Sequence, residues 1–214
     1  MPDAGSSRPL VERLFGGGHR RPAEPGQPFV GTGIAALAEV ARAAGTHLVV
    51  ADALAGEPAL AGALDGGFAT ALGLALGGER VALLVGEAEL AASAALAREA
   101  VERRVPLCIV LASSTLVGAR RGAEAGMAVL VPGTVGEAVD HACAAILAAE
   151  SALLPVVVAL DGPTLAFAVQ AAGLPSVALL GRLLGRPADS VHSEGVAERE
   201  LFGRLWRETP ADRA

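Results

Sequence analysis

The chain has no tyrosine, no lysine and no asparagine, and its 214 residues hold one Trp and five Phe. So few rings leave no platform for stacking successive bases, and a net charge of −6 gives a polyanion little to hold. All 17 basic residues are Arg, which reads as a composition bias rather than a phosphate-binding surface. Cysteine is scarce too. Cys108 and Cys143 each lie in an apolar periodic context and read as buried thiols, and two separated cysteines ligate no iron–sulfur cluster. His19, His47, His141 and His192 are too scattered for metal-ligand spacing.

Long hydrophobic runs are missing as well, although the hydrophobic content is 52% and the mean hydropathy +0.49. Stretches such as Ala88–Ala97 and Leu153–Leu160 stop well short of the ~20 apolar residues of a membrane span. Met1–Gln27 carries Arg, Pro and Gly and no apolar signal core, so the expectation is a cytoplasmic protein without a membrane segment. What is abundant is Ala, Gly, Val and Leu, the composition of helices packed on a buried sheet.

The length suits one domain. Residues 1–28 read as a flexible lead-in, with one or two helical turns at Pro9–Phe15; residues 29–175 form the domain, and 176–214 a helical extension. Ile34, Leu37, Ala38, Ala41 and Ala44 recur at helical spacing, with Gly45 where a C-terminal cap belongs. His47–Ala51 is a strand. Glu57–Leu76 reads as a buried helix with an interruption at Gly66–Gly67, and Val81–Val85 as the next strand. Glu87–Arg104 is a helix with acids first and bases last, and Glu99 and Arg103 pair across one turn. Strands follow at Leu107–Leu111 and Ala128–Val131. Thr134 and Glu137 make a capping box for a helix carrying Val139, Ala142, Cys143 and Ile146 on one face. Val156–Leu160 is the last strand, and a helix opens at Pro163. Strands apolar on both faces, alternating with helices, predict a doubly wound, mainly parallel α/β sheet of five to six strands. Val196–Glu208, an amphipathic helix with Trp206, is expected to dock on its own domain, a subunit interface being the alternative.

Four stretches carry a family resemblance across roughly Gly31 to Gln170. They are Gly31-Thr-Gly-Ile-Ala-Ala-Leu-Ala, Gly73-Leu-Ala-Leu-Gly-Gly-Glu-Arg80, Val131-Pro-Gly-Thr-Val-Gly-Glu-Ala138 and Leu154-Pro-Val-Val-Val-Ala-Leu-Asp-Gly162. In this order the chain resembles the pyrimidine-binding domain of 2-oxoacid:ferredoxin oxidoreductases, and more distantly transketolase. The resemblance implies a thiamine-diphosphate-binding fold whose cofactor lies between this domain and a pyrophosphate-binding one. The second domain's Gly-Asp-Gly metal motif is absent here. The implied chain is therefore half a cofactor site, working in a homo- or hetero-oligomer with a pyrophosphate-side oxidoreductase subunit.

Such enzymes hold a Glu against the aminopyrimidine ring, nine residues before the Gly that matches Gly73, and that count lands on Leu64. Leucine accepts neither a proton nor a hydrogen bond. Asp65, the neighbour, would be turned ~100° away along a helix and is a weak substitute. The Tyr-Pro-x-Thr-Pro-like turn of pyruvate-using members is replaced by Asp52-Ala-Leu-Ala-Gly56, and Ser113 stands where their substrate-binding Arg is expected. Asp52 and Asp161 fall at the carboxyl ends of strands, where open α/β sheets bind ligands, so any retained pocket is placed there. The resemblance thus implies a component that needs a partner for activity, the alternative being a non-catalytic scaffold or regulatory paralogue.

An unrelated small-molecule enzyme using the strand-end crevice is a further alternative, but no motif supports it. Gly31-Thr-Gly lacks the third glycine of a dinucleotide fingerprint and a preceding strand. Ser113, Ser114, His141, Asp52 and Asp161 include no Gly-x-Ser-x-Gly elbow, and His141 is expected on the solvated side of its helix.

Overall fold

The structure, a computed structural model, describes residues 26–51, 54, 57–115 and 117–185. Six strands form one parallel sheet: β2 (His47–Val50), β3 (Leu64–Asp65), β4 (Val81–Gly86), β5 (Cys108–Ser113), β6 (Ala128–Leu130) and β7 (Val156–Asp161), in the spatial order β3-β2-β4-β5-β7-β6. The remaining two, β1 (Gln27–Gly31) and β8 (Gln170–Leu174), pair antiparallel in a separate ribbon.

The alternation of side chains along each strand divides the core in two. Leu48, Leu84, Val110, Val158 and Leu160 point to one face, where they meet α1 (Gly33–Ala43), α6 (Val135–Ala152) and α7 (Val177–Leu184). Val49, Leu83, Val85, Ile109, Leu111 and Val157 point to the other. There they meet α2 (Phe68–Leu76), α3 (Glu87–Ala92), α4 (Ala94–Glu102) and α5 (Val117–Glu124). Each fully buried Leu, Ile or Phe contributes ~1.5–3 kcal/mol. Both faces are covered, as the uninterrupted apolar strands predict.

Local signals fix the helix ends. Thr32 caps α1 by accepting from the Ala35 N–H at 3.2 Å, and Gly45 follows that helix with φ +67°. Thr134 accepts from the Glu137 N–H at 3.1 Å, while the Glu137 carboxylate reaches back to the Gly133 N–H at 2.7 Å. Glu99 and Arg103 form the expected pair at 2.7 Å.

Three helices differ from expectation. Within Glu57–Leu76 only Phe68–Leu76 is α-helical; a 3-10 turn at Pro58–Leu60 and strand β3 come first. Pro58, Gly62 with φ +82° and the Gly66–Gly67 pair break the Ala-rich pattern, so β3 can add to β2. Glu87–Arg104 splits at Ser93, which leaves helical geometry at ψ 16°. The helix expected from Pro163 is a single π-type turn, Gly162–Ala166, before β8. The β1–β8 ribbon has no counterpart among the expected strands; it lays Phe29, Ala172 and Leu174 against the α1–α6 layer. The Pro9–Phe15 and Val196–Glu208 helices, Trp206 among them, lie outside the described residues. No helix among the described residues is long and apolar enough to cross a membrane.

Candidate functional site

All the sheet strands run the same way, so their carboxyl ends share one edge of the molecule. Ser113 closes β5 and Asp161 closes β7, and the two are register partners. Beside them lies a cleft of about 340 Å³. Leu54, Ala112, Pro163 and Phe167 give it apolar walls, and Gly86, Ser113, Ser114 and Gly162 complete the lining. Gly162 is the residue after the Asp161 strand end. A Cβ there would stand 3.5 Å from the Ser113 carbonyl oxygen, so this crossing is close but not glycine-dependent.

Ser113 is buried, and its hydroxyl stands between two acceptors, Glu87 Oε2 at 2.7 Å and the Thr115 carbonyl oxygen. Thr115 adds a second hydroxyl to the same carboxylate at 3.3 Å, and its Oγ1 accepts from the Val117 N–H at 3.2 Å. Glu87, at the start of α3, is thereby linked through Thr115 to the first turn of α5. Asp161 is exposed and accepts from the Thr164 N–H at 3.1 Å and from the Thr164 hydroxyl, which secures the π-type turn. Gln170 donates to the Thr164 carbonyl at 2.7 Å. The strand-end carboxylates are thus engaged in holding loops.

Leu64 and Asp65 are not beside this pair. They form β3 at the sheet edge, opposite Val49 and Val50, with β2 and β4 between them and β5. Both are exposed, Leu64 at 45%. Consecutive strand residues point to opposite faces, so Asp65 turns away from Leu64 by about 180° rather than the helical ~100°. Asp52 lies outside the described residues, as do parts of the Asp52–Gly56 turn. His141 is half-buried rather than solvated, and its Nδ1 is enclosed without a partner among the described residues.

Sequence reasoning missed Glu87 and Phe167. Glu87 was legible only as a helix-dipole acid; what sets it apart is its place directly after a strand end, beside the strand that delivers Ser113. Phe167, half-exposed on the cleft wall, is one of few rings in the chain and follows the Asp161-Gly162 strand end within six residues.

Residues 51–194 match the family described as pyruvate flavodoxin/ferredoxin oxidoreductase, thiamine diphosphate-binding. No curated protein sequence matches the chain. Among solved structures, it is similar to the 2-oxoglutarate:ferredoxin oxidoreductase from Magnetococcus marinus, solved with 2-oxoglutarate, coenzyme A and succinyl-CoA bound, at a TM-score of 0.58 and 18% identity. That match covers 73% of this chain and 33% of the other, so the chain spans about a third of the length of that relative. At this identity the likeness establishes the fold, and the family match establishes membership. The chain belongs to the thiamine-diphosphate-binding family of the pyruvate flavodoxin/ferredoxin oxidoreductases.

Proposed function

We propose that this chain is the pyrimidine-side component of a thiamine-diphosphate-dependent 2-oxoacid:ferredoxin oxidoreductase-type complex, and that it needs a pyrophosphate-side partner for activity. The observation that carries this reading is the apolar rim at the carboxyl end of the sheet. Of the eight large hydrophobic side chains exposed among the described residues, Leu64, Val117, Val131 and Phe167 lie in or just after strands at that end. Exposed apolar side chains gathered at one edge are what a second domain would cover.

When bound, the cofactor supplies the carbanion chemistry, and the protein's share is orientation and electrostatics. The residues described here do not fit the usual ring contact. Leu64 has no acceptor, Asp65 faces the other way, and the carboxylates of Glu87 and Asp161 are already held by hydroxyls. No proton transfer is therefore assigned to the described residues. Nor does any cation line the cleft among the described residues, so a 2-oxoacid carboxylate would be anchored from the partner side. The exposed Leu64 favours a second reading, in which the chain is a non-catalytic scaffold or regulatory paralogue.

The test is affinity capture of the full chain from its native cell, followed by 2-oxoacid-dependent viologen reduction by the captured complex. The component reading expects a pyrophosphate-side chain and thiamine-dependent turnover. A complex of the same chains without turnover would select the scaffold reading.

A further inference from the structure

A second cavity, of about 280 Å³, opens on the α3–α5 face of the sheet and shares no lining residue with the strand-end cleft. Its apolar lining comes from Leu90 of α3, Ala94 and Ala97 of α4, and Met127 just before β6. Arg98 on α4 and Arg121 on α5 line it from its two helical walls. Among the described residues neither arginine has a hydrogen-bond or ion-pair partner, whereas Arg42, Arg80, Arg103 and Arg120 are each paired with a Glu. The acid in the lining, Glu124, is already engaged by Arg120 at 2.7 Å. The cavity therefore carries an uncompensated positive charge in a chain whose net charge is −6.

We propose that this cavity binds a small amphipathic anion, a carboxylate on a short apolar chain, with the chain on Leu90, Ala94, Ala97 and Met127 and the head group at Arg98 and Arg121. The chemistry matches part by part. Guanidinium groups offer paired N–H donors in the geometry of a carboxylate, and they are weakly hydrated enough to be used at an apolar margin. The volume lies just below the usual range of small-ligand pockets, which suits a short unbranched tail. Both arginines are exposed and have no bonding partner among the described residues, so substituting them is expected to leave the fold intact.

The full chain is titrated with hexanoate and octanoate, and separately with inorganic phosphate, following backbone amide shifts by NMR. The proposal expects saturable shifts with the carboxylates, centred on α4 and α5. Binding should weaken at least about tenfold in Arg98→Gln/Arg121→Gln, and by a similar factor in Ala94→Leu, which fills the slot without touching charge. Unchanged melting temperatures certify that both variants are folded. Three results would overturn the proposal: no saturable shift at about millimolar ligand, affinity indifferent to both variants, or phosphate binding as tightly as octanoate and ignoring Ala94→Leu.

Discussion

Arg80 and Glu150 form a two-point ion pair inside the protein, with Nε to Oε1 at 2.5 Å and Nη2 to Oε2 at 3.0 Å. The same guanidinium donates to the carbonyls of Ala44 and Leu184, each at 2.9 Å. One side chain at the foot of β4 thus ties together the end of α1, the end of α6 and the end of α7. Both partners are buried, so the charges are costly unless matched.

Removing one partner should therefore be worse than removing both. Arg80→Met is expected to lose about 3–5 kcal/mol in urea unfolding, because Glu150 is left charged and buried. Arg80→Met/Glu150→Leu should recover much of that loss. If the double variant is as unstable as the sum of the two single ones, the pair is not coupled as described.

The sheet and its two helical layers were legible because buried strands leave a continuous apolar signature and capped helices leave a spacing one. The stretch from Glu57 to Leu76 was not. Its Ala-rich pattern is periodic enough for a helix, and only pairing with β2, a tertiary event, draws Leu64 and Asp65 into a strand. The β1–β8 ribbon was missed because Gln27–Gly31 and Gln170–Leu174 are five residues each and their sequences, Gln-Pro-Phe-Val-Gly and Gln-Ala-Ala-Gly-Leu, carry no apolar alternation. Asp161 was legible as a strand end, whereas Ser113 was expected just beyond the Leu107–Leu111 strand and instead closes β5; their present partners, Glu87 and Thr164, depend on which strands lie side by side. Arg80 closed one of the quoted motifs; its partner Glu150 lies 70 residues away, beyond any local pattern.

At the cleft, Ser113→Ala removes the hydroxyl that reaches Glu87 and leaves that half-buried carboxylate with Thr115 alone. The expected cost is about 1–2 kcal/mol. It should appear with faster amide exchange at the β5–α5 connection and unchanged exchange in the α1–α6 layer. Uniform acceleration everywhere would mean that Ser113 has no local role there.

The two thiols make an alkaline prediction. Burial, with Cys143 close by, pushes Cys108 up to about 12 from the ordinary 9.0; burial, with Asp140 close by, pushes Cys143 up to about 11. The folded state thus keeps its protons where the unfolded chain releases them. Their contribution to stability is complete below pH 9 and is lost as the pH climbs through about 11 and 12. Urea midpoints should fall across that window in the wild type and fall less in Cys108→Ala/Cys143→Ala. Near pH 8, below the ordinary thiol value of 9.0, a thiol reagent should label the native protein far more slowly than the denatured one.

Gly33 opens α1 against the π-type turn, and a Cβ at this position would run into the Leu165 carbonyl oxygen. Gly33→Ala should cost about 1–3 kcal/mol by forcing the two segments apart. Thermal unfolding checks this; an unchanged melting temperature would show that the turn yields freely.

On the proposed function, this chain holds its cofactor only in company. Equilibrium binding of thiamine diphosphate should be measured on the purified chain and on the complex captured from the native cell. The expected result is no saturable binding by the chain alone and saturable binding by the complex. Saturable binding by the chain alone, or none by the complex, would contradict it.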